Sequence, residues 1–229
     1  MVDFMAKPKS PPRNRVSPAE RARIETIFVR LKEIDDDPRT ELSYDSPYTL
    51  VVAVALSAQA TDKSVNKATE KLFAVADNPA AMLALGEAGL TAFIASIGLF
   101  RTKARNVIAL SRILIEEHGG EVPLNRAALM ALPGVGRKTA SVVLNELGIE
   151  PAIAVDTHVF RVAHRLGLAH GKTPDLVEAE LMAVTPTPLL TRAHHWLILH
   201  GRYTCVARRP KCADCAIADL CPSRPLFRD

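Results

Sequence analysis

The chain lacks the features that mark membrane and secreted proteins. None of its 229 residues belongs to an apolar run approaching the roughly 20 residues that a membrane-spanning helix needs. The first residues, 1–15, contain no apolar segment of the kind found in a secretion signal. These absences predict a cytoplasmic protein that has no membrane partner.

Aromatic residues are also scarce, at 5% of the chain. This scarcity weighs against a single-strand nucleic-acid binder, because such proteins stack bases on aromatic rings. The hydrophobic fraction of 48% and the charged fraction of 24% are typical of a globular protein with a buried core. A net charge of +4 permits an anionic partner such as nucleic acid without requiring one.

Cysteine is absent from most of the chain, and all four cysteines lie between residues 205 and 221. Their spacing is Cys205-x6-Cys212-x2-Cys215-x5-Cys221. Cysteines crowded into one tail of a chain without a secretion signal indicate metal ligands rather than disulfides. Zinc and iron–sulfur remain equally open on spacing alone, because structural zinc usually has two close pairs and ferredoxin spacing is tighter.

Residues 1–16 are rich in proline, lysine and arginine and show no hydrophobic periodicity. They predict a disordered basic arm, which either adds affinity for phosphates or is only a solvated tail. Order is expected to begin at residues 17–20, Ser-Pro-Ala-Glu, because this spacing predicts a capping box with proline in the first helical turn.

The rest of the chain is expected to be all-α, with about ten short helices. Residues 50–56, LVVAVAL, could form a buried strand, but no comparable second strand is present to pair with it. We therefore interpret this segment as a helix enclosed by other helices. Further helix starts are predicted at Asn78, Asn125 and Thr173, and helix stops at Gly98, Gly119, Gly148 and Gly167.

The most informative short segment is LPGVGRKTA, residues 132–140. It predicts a short helix over 125–131 and a second over 137–147, joined by two glycines that allow positive φ. The amide groups at the start of the second helix would then be free to bind a phosphate without reading a base. An ordinary helical hairpin with a glycine-rich turn is the alternative.

LPGVGRKTA together with the later AVDTHVFRV resembles the helix-hairpin-helix DNA glycosylase superfamily. Within it, the chain is most similar to the endonuclease III family. The shared motifs are ALSAQATDKSVNKA, ALPGVGRKTA, IAVDTH and HHWLILHGRYTC, followed by the same cysteine spacing. Motifs of this length in this order are highly specific.

The resemblance implies two helical domains that flank a DNA-binding cleft. A six-helix barrel with the helix-hairpin-helix would cover residues 40–150, and a cluster domain would combine residues 17–39 with 151–229. The four cysteines, Cys205, Cys212, Cys215 and Cys221, would hold a [4Fe–4S] cluster. The partner would be damaged double-stranded DNA, bound by a nucleoid-associated monomer.

Lys138 would be the nucleophile. It lies in the first turn of the hairpin's second helix, where the helix N-terminus and Arg137 disfavour a charged ammonium group. An uncharged lysine amine forms Schiff bases with carbonyl-like carbons. The resemblance implies that Lys138 attacks the sugar C1′ and then drives strand cleavage by β-elimination. A solvated surface lysine is the alternative interpretation.

Asp156 would be the second catalytic residue. Its position before Thr157 and His158 also predicts a helix N-cap, and the two roles are compatible. A capping carboxylate is held in place, so it can stabilise positive charge on the sugar or accept a proton.

The resemblance also implies residues that open the duplex. Gln59 and Leu99 would enter the space left by a flipped base, and Asp62 would lie near the pocket. Their alternatives are a polar helix end, a core side chain and a helix cap, respectively. The hairpin residues Gly134, Val135, Gly136 and Arg137 would bind DNA.

The function implied is removal of oxidised pyrimidines by a bifunctional DNA glycosylase and abasic-site lyase. The adenine-excising branch is a rival, but it lacks the lysine. A non-catalytic DNA-binding module with a structural metal is a rival of another class. Lesion preference is left open, because residues 100–101 and 147–151 depart from the family pattern in loops that border the cleft.

Overall fold

The computed structural model describes residues 16–227, and within them the chain is entirely helical. Ten α-helices and three short 3₁₀ turns are present, and no strand occurs in this range. The predicted basic arm falls outside the described residues except for Val16. The α-helices are α1 (Pro18–Ile34), α2 (Pro47–Ser57), α3 (Asp62–Phe73), α4 (Pro79–Ile94), α5 (Phe100–His118), α6 (Arg126–Ala131), α7 (Arg137–Glu146), α8 (Thr157–Arg165), α9 (Pro174–Val184) and α10 (Leu190–Tyr203).

A first hydrophobic core is built around α2, whose residues from Tyr48 to Leu56 are all buried. Ser46 and Thr49 form a capping box at its start, so the ambiguous apolar segment is a helix, as predicted. Helices α3, α5 and α7 pack around it. The buried members of this core run from Leu42 to Leu144 without contribution from other parts of the chain.

Helices α4 and α5 form the most extensive helix–helix contact of the first core. Helix α4 contains a kink that was not predicted, where Gly86 adopts φ 69° and ψ 172°. The predicted stop at Gly98 was wrong, because α4 already ends at Ile94 and Gly98 lies in the turn before α5. The stops at Gly119, Gly148 and Gly167 are confirmed by their left-handed conformations.

A second core combines α1 with α8, α9 and α10. Its members come from residues 24–31 and from residues 153–217, so the first core is inserted into it along the sequence. Arg23 of α1 joins the distant segments by donating to the carbonyls of Leu166 and Leu220. This distribution supports the predicted division into residues 40–150 and 17–39 plus 151–229, which remains a prediction.

The start of α1 only partly matches its prediction. Ser17 accepts a hydrogen bond from the Glu20 amide, as a capping residue should. The Glu20 carboxylate binds the Arg23 guanidinium instead of closing the capping box.

Among the helices of residues 16–227, none is long and apolar enough to cross a membrane.

Candidate active site

A cavity of about 470 Å³ brings together residues from both cores. Four of the predicted site residues line it: Gln59, Asp62, Lys138 and Asp156. Lys138 comes from α7 in the first core, whereas Asp156 precedes α8 in the second. The two predicted catalytic residues, distant in sequence, therefore lie on the walls of one cavity.

A larger cavity of about 1230 Å³ lies elsewhere on the first core. Its lining includes Tyr44 and Glu146 but none of the predicted catalytic or DNA-binding residues. Size alone would select it, but the smaller cavity is lined by Lys138, Asp156 and three histidines, so we take the smaller one as the candidate active site.

The helix-hairpin-helix has the predicted helices and turn. Asn125 caps α6, and the Val135 amide closes the turn by donating to the Leu132 carbonyl over 3.1 Å. Gly134 has φ 80°, and a Cβ there would lie 3.0 Å from the Asn106 side chain on α5. Gly134 is therefore required both by its backbone angle and by the close approach of α5.

Gly136 does not use the positive φ that a glycine allows, because it has φ −88° and ψ 178° as the N-cap of α7. No side chain caps this helix, so the first-turn amides remain available to a ligand. Val135 is only 4% exposed, so its side chain belongs to the core rather than to a DNA-contacting surface.

Lys138 and Arg137 are both exposed, but they have different neighbours. Lys138 lines the cavity. The Arg137 Nε donates to Glu178 of α9 over 3.2 Å and lies 3.7 Å from Asp175. The predicted DNA-binding role of Arg137 therefore requires it to leave, or to share, these two carboxylates.

Asp156 is the N-cap of α8. Its Oδ1 accepts hydrogen bonds from the amides of His158 and Val159, each over 2.8 Å. These bonds use one carboxylate oxygen and fix the direction of the group. The capping interpretation is confirmed, and the cavity position is compatible with the catalytic one.

Gln59 and Leu99 share an unusual backbone conformation. Their φ angles are 55° and 60°, in the left-handed region that L-residues rarely adopt. Both side chains are exposed, Leu99 by 60%, so the core interpretation of Leu99 was wrong. A Cβ on Gly98 would lie 3.8 Å from the Gln59 carbonyl oxygen, which places the two turns in contact. Backbone strain at two adjoining exposed turns is typical of functional sites.

The capping interpretation of Asp62 was also wrong, because Thr61 caps α3. Asp62 instead accepts a hydrogen bond from Arg202 of α10 over 2.6 Å. Arg202 also pairs with Glu41, which binds the Tyr203 hydroxyl. Sequence reasoning missed Arg202, although it belongs to the HHWLILHGRYTC motif.

Two buried histidines from the same motif were missed as well. His194 and His195 line the cavity, and their ring centroids are 5.0 Å apart. Burial lowers the pKa of His194 to about 3, with smaller contributions from His195 and from the Lys138 charge. His194 is therefore uncharged at neutral pH and adds no positive charge next to the lysine.

The four cysteines line a second small cavity together with His200 and Arg165. None forms a disulfide. Arg165 lies 3.3 Å from the Cys205 sulfur and donates to the Val206 carbonyl over 2.8 Å. Burial raises the pKa of the Cys215 and Cys221 thiols. The loop between the first two cysteines carries three exposed cations, Arg208, Arg209 and Lys211.

Comparisons with known proteins indicate one family over most of the chain. Residues 52–187 match the model of the HhH-GPD superfamily of base excision DNA repair proteins. The chain is 58% identical to endonuclease III of Escherichia coli strain K12, over 85% of this chain and 92% of that protein. It is 59% identical to endonuclease III of Haemophilus influenzae, with the same coverage. The chain belongs to the endonuclease III family.

Solved structures with a similar fold include an endonuclease III. A trapped covalent endonuclease III–DNA intermediate matches with a TM-score of 0.84 and 42% identity, over 90% of this chain and 97% of that chain. A thermostable thymine-DNA glycosylase, 24% identical with a TM-score of 0.78, shares the fold. As an endonuclease III family member, the chain is an enzyme of base excision DNA repair with the expected all-α glycosylase fold.

Proposed function

We propose that this DNA glycosylase and abasic-site lyase removes oxidised pyrimidines from duplex DNA, with Lys138 as nucleophile and Asp156 as its catalytic partner. The observation that carries the proposal is the cavity that Lys138 of α7 and Asp156, the N-cap of α8, both line. A lysine amine and a fixed carboxylate lining one cavity are the groups that a Schiff-base lyase needs.

A pyrimidine stacked in B-DNA is out of reach of Lys138, so the damaged nucleotide must rotate into the cavity. Leu99 and Gln59 are suited to occupy the space that it leaves, because both are exposed on adjoining turns. The open N-terminus of α7 is suited to hold a backbone phosphate through its free amides. Such a contact fixes the register of the DNA without reading a base.

The chemistry then proceeds through covalent catalysis. The uncharged Lys138 amine attacks C1′, the bond from C1′ to the base breaks, and the base leaves with that electron pair and takes a proton. The C1′–O4′ bond then breaks, O4′ takes a proton, and the nitrogen electron pair forms the Schiff base between Lys138 and C1′. Loss of a proton from C2′ breaks the C3′–O bond, so the downstream strand leaves with the phosphate at its 5′ end, and water finally frees the lysine.

Asp156 contributes at the first step. Positive charge develops at C1′ as the base leaves, and a carboxylate held by two backbone amides needs no reorganisation to stabilise it. The same carboxylate is suited to take the proton that the attacking amine loses.

We propose further that Cys205, Cys212, Cys215 and Cys221 hold a [4Fe–4S] cluster. All four line one cavity and none forms a disulfide. Four cysteine thiolates are the donor set of a [4Fe–4S] cluster, which supports the cluster that the family resemblance implies. The cluster would stabilise the loop that carries Arg208, Arg209 and Lys211, and these cations would contact phosphates.

Borohydride trapping tests the nucleophile. An end-labelled duplex with one thymine glycol should yield a covalent protein–DNA adduct only when borohydride is present, and Lys138→Ala should abolish the adduct. Lys67→Ala removes an exposed lysine of α3 that does not line the cavity and is the matched control. Adduct formation by Lys138→Ala at the wild-type rate would contradict the assignment. Base release by the wild type without an adduct would indicate attack by water.

Cysteine replacement tests the cluster. Cys212→Ser should lose iron and the broad visible absorbance of an iron–sulfur protein, and its unfolding free energy should fall because the loop loses a ligand. Elemental analysis of the wild type that finds one zinc and no iron would contradict the proposed cluster.

A further inference from the structure

Glu146 is a buried acidic residue that the chemistry above does not use. It is the last residue of α7, the helix whose second residue is Lys138. At about 1.5 Å per residue, roughly 12 Å of helix separates the two positions. Its side chain is only 3% exposed, so a carboxylate lies inside the molecule at the far end of the helix that carries the nucleophile.

The Glu146 carboxylate connects the two cores. Its Oε1 accepts a hydrogen bond from the Tyr44 hydroxyl over 2.9 Å, within the first core. Its Oε2 lies 3.2 Å from the His195 Nε2, on α10 of the second core. The neighbouring Asn145 adds a parallel connection, because its side chain donates to the Thr191 carbonyl of α10 and accepts from the Ala152 amide.

The two contacts of the Glu146 carboxylate differ in kind. Burial and the bond to Glu146 raise the pKa of Tyr44 to about 12, so its hydroxyl remains a donor. Burial lowers the pKa of His195, and the charge of Glu146 opposes that shift. The Glu146 Oε2 is buried and accepts no hydrogen bond, so its 3.2 Å approach to His195 is a close polar contact. The carboxylate is thus held by a hydrogen bond in the first core and by this contact with the second.

The other end of this connection is the active site. His195 lines the same cavity as Lys138 and Asp156, next to His194. A shift of α7 against α10 would therefore move the Lys138 amine relative to Asp156.

We propose that Glu146 is a positioning residue for Lys138, which it serves by holding α7 against α10 through His195. The inference rests on the proposed function, because it assumes that Lys138 is the nucleophile. Catalysis depends on such positioning: a displacement of about 1 Å costs on the order of 100-fold in rate.

The test separates the chemical step from binding. Single-turnover borohydride trapping is measured on duplex DNA with a preformed abasic site, and the dissociation constant is measured on duplex DNA with a tetrahydrofuran site. Glu146→Ala should lower the trapping rate constant by about 10-fold or more and change the dissociation constant by less than about twofold. Glu146→Gln keeps the size and an acceptor oxygen, so it should recover part of the rate and guards against misfolding of the alanine variant.

The matched control is Glu116→Gln. Glu116 is exposed on α5 and lines none of the three cavities, so its trapping rate should equal that of the wild type. Wild-type trapping by Glu146→Ala, an equal loss in Glu116→Gln, or a loss confined to the dissociation constant would each overturn the inference. Trapping by Lys138→Ala would instead overturn the proposed function.

Discussion

The helices that carry Lys138 and Asp156 begin in opposite ways. The start of helix α8 is closed, because the side chain of its N-cap, Asp156, accepts hydrogen bonds from two first-turn amides. The N-cap of helix α7 is Gly136, which has no side chain, so no capping side chain binds the first-turn amides. Helix α5 is open as well, since Leu99 caps it in a left-handed conformation without a side-chain hydrogen bond.

This difference has a chemical meaning. An open helix start attracts an external anion such as a phosphate, whereas a closed one uses its amides to immobilise a carboxylate. The nucleophile thus lies where DNA is to be held, and the charge-stabilising group lies where nothing external competes for the amides. Three predictions test this contrast between open and closed helix starts, beginning with the largest expected effect.

Asp156→Asn should separate capping from chemistry. Asparagine caps helices about as well as aspartate, so the unfolding free energy should change by less than about 0.5 kcal/mol. Single-turnover base release should nevertheless fall by about 10² to 10⁴, because the carboxylate charge is lost. Asp156→Ala should add a loss of about 1 kcal/mol in urea denaturation. Wild-type activity in the asparagine variant would reduce Asp156 to a cap.

Gly136→Ser should close α7. The backbone at Gly136 already has the extended angles of an N-cap, and nothing lies within 4 Å of an added Cβ. The serine oxygen should stabilise the protein by a few tenths of a kcal/mol. It should weaken binding to undamaged duplex DNA by about tenfold, because a charge-assisted bond of about 1.5 kcal/mol is lost. Gly136→Ala adds the Cβ without the oxygen, and equal weakening in both variants would indicate a steric effect instead.

Leu99→Gly should relieve the backbone strain at the N-cap of α5. A left-handed leucine costs about 1–2 kcal/mol, and glycine loses part of that gain through its larger unfolded-state entropy. The net gain in unfolding free energy should be about 0.5 kcal/mol, while base release falls because no side chain fills the duplex. Leu99→Ala should lose the same activity without the gain. Unchanged base release in both variants would remove Leu99 from the site.

Local sequence signals were sufficient for most of the fold. The LVVAVAL segment could be assigned to a helix because nothing in the chain could pair with it as a strand, and α2 has that form. The kink at Gly86 was missed because a glycine within a helical pattern does not reveal its φ. Glu20 failed to complete its capping box because the nearby Arg23 competes for its carboxylate.

Local sequence signals could predict only some of the residues of the candidate site. Lys138 and Asp156 belong to short motifs whose types and spacing carry information. By contrast, Asp62 with Arg202, and Glu146 with His195, are pairs whose partners are far apart in sequence. Nothing local to either partner indicates the other, so only the packing of α10 against the first core brings them together.

The order in which the two cores are encoded has a consequence during synthesis. Helix α1 leaves the ribosome before any other helix of the described chain, but its buried residues Ile24, Ile27, Phe28 and Leu31 belong to the core whose other buried members come from residues 153–217. The first core, from Leu42 to Leu144, can fold while the apolar face of α1 is still exposed to solvent. The helix translated first is therefore among the last to dock, and it needs protection from aggregation until the second half of the chain has emerged.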